Sequence, residues 1–245
     1  RSSDLTLQVP QWVVRPGEKV GIIGGIGSGK STLLKLLAGL YKPQEGRVTL
    51  DQLDLQQVSR THISQHVGVL AQTVQLFAGT LKDNLTAGLI GVTEASLQAA
   101  CQASGLSAFI GSHPKGLEMP ISEGGHGVSG GQRQLIGLTR LLLAQPAVWL
   151  LDEPTASMDD EPERRTLALL AGSVGAHQTL VVVTHKASVL SLVDRLVVLA
   201  EGRIALNGPR DAVLARLRQS HTPPAATPAT PPSPGPSASP SFTSS

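Results

Sequence analysis

The run Gly24-Gly25-Ile26-Gly27-Ser28-Gly29-Lys30-Ser31 restricts the fold more than any other part of the chain. It stands between a short apolar run, Lys19 to Ile23, and a helical pattern, Ser31 to Leu40. It fits G-x-x-x-x-G-K-[ST] and sits where that pattern works, after a buried strand and before a helix. The glycines let the backbone curl so that successive N–H groups face inward. The helix N-terminus adds partial positive charge, so the segment is suited to phosphate. Lys30 then reaches the β- and γ-phosphates of a nucleotide, the Ser31 hydroxyl ligates Mg²⁺, and Thr32 closes the phosphate-binding set. A glycine-rich turn that merely spells the pattern is the bland alternative, and the flanking strand and helix argue against it.

The remaining pattern supplies a fold around this loop. Strand-like runs recur at Arg47 to Leu50, Val67 to Ala71, Ala147 to Leu151, Thr179 to Val183, Leu196 to Leu199 and Arg203 to Leu206, with helical patterns between most of them. Apolar residues between Leu5 and Val14 also suggest strands, ended by the turn Pro16-Gly17. Alternating strands and helices predict an α/β domain with a mostly parallel sheet. From roughly Thr80 to Ala144 the strand pattern gives way to helical ones near Thr80 to Leu85, Thr93 to Ala103 and Gly130 to Ala144. That predicts an inserted helical subdomain, about residues 80–145 of a domain spanning 1–221. Residues 222–245 are Pro, Ser, Thr and Ala apart from Gly235 and a lone Phe242 to bury, and are expected to be a disordered tail.

Composition narrows the function class. A chain of 245 residues with 40% apolar residues can bury one sizeable core. Lys plus Arg total 20 against 18 Asp plus Glu, and basic runs are no longer than pairs such as Arg164-Arg165, which argues against nucleic acid as a partner. Cys101 is the only cysteine, so no intrachain disulfide forms and a reducing, cytosolic setting is expected, with Cys101 a small core side chain. No apolar run approaches the ~20 residues that cross a bilayer.

A nucleotide site of this kind needs a second carboxylate on a neighbouring strand end to hold the metal, and Ala147 to Leu151 ends in Asp152-Glu153. Asp152 is the metal-ligand candidate. Glu153 stands at the strand mouth, where a carboxylate can polarise an attacking water. Such a pair alone reads as a solvated loop start; the glycine loop upstream reverses that reading.

Val128-Ser129-Gly130-Gly131-Gln132 resembles the LSGGQ signature of ABC ATPases, with Val for the usual Leu. Locally, Ser129 and Gln132 also spell a helix capping box. Gln72 after its strand looks like the Q-loop of that family, Ala156-Ser157-Met158-Asp159 like the D-loop, and His185 like the switch histidine. The resemblance covers Leu5 to Gln219. It implies a P-loop NTPase core with an antiparallel β N-terminal part, hydrolysing ATP with Mg²⁺. It also implies two copies sandwiching two nucleotides. Lys30, Glu153, Gln72 and His185 serve catalysis; Ser31, Gln72 and Asp152 serve the metal. Ser129, Gly130, Gly131 and Gln132 bind the γ-phosphate in trans, and Asp159 couples the paired sites.

Gln75 to Leu85 looks like exporter sequence, and Ile121-Ser122-Glu123-Gly124-Gly125-His126-Gly127 resembles the exporter X-loop, which contacts the membrane domain; it also reads as a plain connection. His113-Pro114-Lys115-Gly116-Leu117-Glu118 is similar to bacterial type I secretion ATPases. The resemblance therefore implies a motor at the cytoplasmic face of a bacterial inner membrane, with a transmembrane domain in the same longer chain. A secreted protein substrate and accessory proteins are its implied partners. A peptide, lipid or drug exporter, an importer subunit and a soluble ABC ATPase are the rivals. The opening at Arg1 rather than Met suggests a fragment.

Two aromatic features stand apart. The family stacks adenine on an aromatic residue upstream of the P-loop. Trp12 is the only aromatic before Gly24 and fits a core-facing strand position. The stacking residue is then expected before Arg1, with weakened nucleotide affinity for this chain. His62 and His66, four apart, can share a helix face, but no third ligand is evident and a solvated face is the expectation.

Overall fold

The computed structural model describes residues 7–220. Residues 1–6 and 221–245, including the expected tail at 222–245, lie outside the described residues. In chain order the elements are β1 (Lys19–Gly24), α1 (Lys30–Leu37), β2 (Thr49–Leu50), β3 (Leu53–Asp54), α2 (Arg60–His66), β4 (Val67–Leu70) and β5 (Gly79–Thr80). Next come α3 (Leu81–Thr86), α4 (Glu94–Ser104), α5 (Ser107–Gly111), β6 (Pro120–Ile121), α6 (Gly130–Ala144) and β7 (Val148–Asp152). The last are α7 (Asp160–Ser173), β8 (Thr179–Val183), β9 (Arg195–Ala200), β10 (Arg203–Pro209) and α8 (Arg210–Ser220).

The main sheet has the strand order β10-β9-β1-β8-β7-β4, parallel throughout except for antiparallel β10. Its central strands are apolar on both faces, as strands covered on both sides must be. Side chains alternate across them with period two. On β8, Val181 and Val183 join the core that contains Leu33 and Leu34 of α1, while Leu180 and Val182 join the opposite core with Ile136, Leu138 and Leu141 of α6. The expected α/β fold with a mostly parallel sheet is what the chain forms.

Helix α6 is pressed against β4 at a glycine. A Cβ on Gly137 would lie 2.5 Å from Leu70 Cδ1 and 2.7 Å from Val74 Cγ2, so only hydrogen fits there. One turn on, Arg140 ties α6 to the segment after β4. Its Nε donates to Asn84 O at 2.6 Å and its Nη1 to Gln75 O at 3.1 Å. Asn84, fully buried, spends its amide on the carbonyls of Phe77 and Thr80 and accepts from Phe77 N at 3.1 Å.

Residues 7–14 differ from expectation. They form no strand and carry one bridge, Gln8 to Arg203. Leu7, Val9, Trp12 and Val14 nevertheless pack against the core on the α1 side, so the apolar alternation there reports burial without a ladder of hydrogen bonds.

Candidate functional site

The glycine loop joins β1 to α1 and its shape is fixed by the backbone. Gly24 has φ 154°, and a Cβ on it would stand 2.2 Å from Leu199 O. Gly29, at φ 100°, caps α1 with no side-chain bond to the first-turn N–H groups, which leaves them for an anion. The Lys30 ammonium folds back over the loop, donating to Gly24 O at 2.9 Å and Gly25 O at 2.8 Å. Ser28 Oγ is buried beside the loop with no protein partner. Open space stands where side chains at Gly25 and Gly27 would project. An orphaned hydroxyl, free helix N–H groups and clear space suit phosphate oxygens.

Adjacency of β1, β8 and β7 brings their C-terminal ends to the same edge of the sheet, the edge at which open α/β sheets bind ligands. Asp152 ends β7, is 7% exposed and has the Ser31 hydroxyl beside it. Burial raises its pKa, with the Glu153 charge adding to the rise, while Ser31, Lys35 and Lys30 pull the other way. Asp152 and Ser31 together offer hard oxygen donors of the kind Mg²⁺ takes.

Glu153 follows in a left-handed conformation, φ 51°, which a side chain adopts at a cost of roughly 1–2 kcal/mol. Its N–H is held by Val183 O at 2.9 Å, and the turn swings the carboxylate toward the end of β8. There His185 Nδ1 lies 2.7 Å from Glu153 Oε1, with the His185 side chain mostly exposed and that of Glu153 mostly buried.

Gln72 lies exposed just beyond β4, its carbonyl accepting from Gln134 Nε2 of α6 at 2.9 Å. At the start of α6, Ser129 Oγ accepts from Gln132 N at 3.2 Å and Gln132 Oε1 accepts from Ser129 N at 2.9 Å, the reciprocal cap the sequence spells. Arg133 secures the preceding glycine loop by donating to Gly124 O at 2.6 Å, Gly125 O at 2.7 Å and Val128 O at 3.1 Å. Asp159 stands at the N-terminus of α7 with no capping bond of its own. The signature touches the D-loop segment of the same chain: a Cβ on Gly130 would meet Ser157 at 3.3 Å.

Apart from Gln72, the sequence-predicted residues thus fall into two groups. Residues 24–32, Asp152, Glu153 and His185 share one strand edge. Ser129, Gly130, Gly131, Gln132 and Asp159 gather at the N-termini of α6 and α7. Among the described residues no hydrogen bond joins the second group to the first.

Sequence reasoning missed Glu163, Lys186 and Ser188, which bond to one another beside this edge. A signal existed, because Glu163 shares the buried face of α7 with Thr166 and Leu170 at i, i+3 and i+7, the spacing of a core stripe. Trp12 is half-buried and packs against the core, as a core-facing position requires, although its buried Nε1 has no protein partner. His62 and His66 share a face of α2, both exposed, with ring centroids 4.6 Å apart.

Comparison with known proteins supplies the family. The sequence profile described as ABC transporter matches residues 7–156. ATP-binding cassette sub-family B member 6 of Rattus norvegicus is 36% identical over 211 residues, 86% of this chain and 25% of that protein. An ATP-dependent lipid A-core flippase of Thiobacillus denitrificans is 37% identical over 206 residues, 83% of this chain and 35% of that protein. A solved structure of a bacterial Atm1-family ABC exporter with ATP bound superposes with a TM-score of 0.77 at 30% identity, over 86% of this chain and 38% of that one. The chain spans between a quarter and two fifths of the length of these relatives.

Proposed function

The chain belongs to the ABC transporter family and is an ATP-hydrolysing domain of it, and from that premise we propose that it drives an exporter as two copies closing on two nucleotides. The observation that carries this reading is the Glu153–His185 pair beside the glycine loop. A general base, its orienting partner and a phosphate cradle lie at one strand edge.

The N–H groups from Gly24 to Thr32 and the Lys30 ammonium hold the phosphates and offset charge on the γ-phosphoryl group as it transfers. Ser31, Asp152 and Gln72 would hold Mg²⁺, which when bound would supply positive charge to offset the charge developing on the phosphates. Glu153 takes the proton of the attacking water as the new P–O bond forms and the bond to the ADP oxygen breaks, while His185 fixes the carboxylate and faces the γ-phosphate. Ser129, Gly130, Gly131 and Gln132 of the second copy supply the N-terminus of α6 to the same phosphate, and Asp159 links the two sites. The separation of the two residue groups within one chain supports this arrangement in trans.

The motor works at the cytoplasmic face of a membrane with a transmembrane domain; among the described residues no helix is long and apolar enough to cross a membrane itself. For the cargo, the named flippase relatives favour a lipid. The segment His113 to Glu118, leading into the loop 121–127, favours the protein secretion expected from sequence. Stimulation of ATP turnover in the membrane-embedded transporter by added lipid A-type lipid, against added secretion-signal peptide, separates the two.

Glu153→Gln tests the arrangement. The variant keeps nucleotide binding and loses the base, so it is expected to be dimeric with Mg-ATP and monomeric with ADP when its mass is measured in solution. A monomer with both nucleotides at saturation overturns the trans role of Ser129.

A further inference from the structure

Glu163 and Lys186 form an ion pair outside every motif assigned above. Glu163 is 8% exposed on the inner face of α7, and its carboxylate oxygens accept from Lys186 Nζ and Ser188 Oγ. The Glu163 N–H donates to Asp159 O at 2.9 Å. Lys186 Nζ donates a second time, to Thr155 O at 2.9 Å, and that carbonyl also accepts from Met158 N at 3.1 Å. Three stretches of chain therefore meet: the turn after β7, the start of α7 and the loop after β8.

The place of this junction gives it a role. Glu153 lies two residues before Thr155, and His185 immediately precedes Lys186. The left-handed backbone at Glu153 persists where its surroundings over-determine it. Val183 O holds it on one side, and the bond from Lys186 to Thr155 O closes the turn on the other. A nearly buried carboxylate also depends on its donors, since losing one leaves an uncompensated charge. The two partners hold Glu163 below the usual range for a glutamate, Lys186 first and Ser188 next. Glu163 is thus a stable anion to which the loop after β8 is moored.

We propose that Glu163, acting through Lys186, is a positioning residue for hydrolysis that sets the approach of His185 to Glu153 and connects Asp159 to both. The path runs from Asp159 O to the Glu163 N–H, through its carboxylate to Lys186, and along one peptide bond to His185. A displacement of Asp159 by a second copy thereby reaches the hydrolytic pair without passing through the nucleotide. This inference rests on the roles given above to Glu153 and His185.

The test is steady-state ATP turnover by the full chain carrying Glu163→Gln, Lys186→Met, or both, with thermal melts of each. Each single change is expected to lower kcat about tenfold with KM for ATP within about twofold, since the contact matters for reaction and not for binding. The double variant is expected to fall no further than the singles, because they break one connection. Lys186→Arg, which keeps charge and reach, is expected to restore most of kcat. Wild-type kcat in Glu163→Gln overturns the proposal, and so does a loss shared by KM and melting temperature, the mark of a merely structural contact. Lys186→Met decides the matter from the loop side where the α7 variant fails to fold. Glu153→Gln runs alongside: retained turnover there overturns the base assignment and this inference with it, whereas its loss beside an active Glu163→Gln overturns this inference alone.

Discussion

His185 Nδ1 and Glu153 Oε1 lie 2.7 Å apart, bridging the ends of two adjacent parallel strands, so the two candidate catalytic side chains are held by one sheet register. Asp152 pairs with Val183 in that register, and Glu153 N bonds Val183 O. The register fixes the backbone at Glu153, and the loop after β8 carries His185 back to it.

His185→Ala removes the only side chain that bonds Glu153 among the described residues while leaving the glycine loop intact. The carboxylate stays in place through its backbone bond but loses its aim. The expected result is a fall in kcat of about 10²-fold with KM for ATP within a few-fold, read from initial rates of phosphate release. A fall in binding of the same size would place His185 on the nucleotide in the ground state instead.

Asn84→Ala tests the joint between α6 and the segment after β4. Asn84 is 0% exposed and uses both ends of its amide, and Arg140 is oriented by it. Deleting the amide leaves the peptide groups of Phe77 and the Thr80 carbonyl short of partners and Arg140 half held. A loss of about 3 kcal/mol in urea unfolding is expected, in line with a buried group that bonds several others.

Cys101 lies on α4 with 2% of its surface exposed, and burial pushes its thiol up to about 11. At pH 8 only about one thiol in 10³ is then ionised, and that one is shielded. Reaction with a thiol-specific reagent is expected to be undetectable over minutes in the native chain and complete within minutes in urea. Fast labelling of the native chain would mean that α4 opens readily.

Much of the site was legible because its motifs are local. The glycine loop needs a strand before it and a helix after it, and both have readable patterns; the cap from Ser129 to Gln132 closes within four residues. The left-handed turn at Glu153 was not legible, since it exists through a bond to Val183 on another strand. Glu163 was passed over because a charged residue in a helix reads as solvated; its partners lie 23 and 25 residues away. Residues 7–14 show the converse error. Alternating burial there imitated a strand, but the backbone forms no ladder, only the bridge from Gln8 to Arg203 and a bond from the Arg195 side chain to Val13 O.

The anion at Glu163 sets a pH dependence whose sign follows from its partners. Lys186 and Ser188 lower its pKa in the folded chain, whereas the unfolded chain keeps an ordinary glutamate near pH ~4.3. Above that value both states are ionised and the stabilisation is fully present. As pH falls below it, the unfolded chain takes up the proton first, and the contribution is lost progressively until the folded carboxylate is protonated too. The stability difference between wild type and Glu163→Gln, measured by urea unfolding, is therefore expected to be constant from about pH 6 to 8 and to shrink below about pH 4. A difference that grew on acidification would mean that the folded state favours the protonated carboxyl, contrary to the ion pair with Lys186.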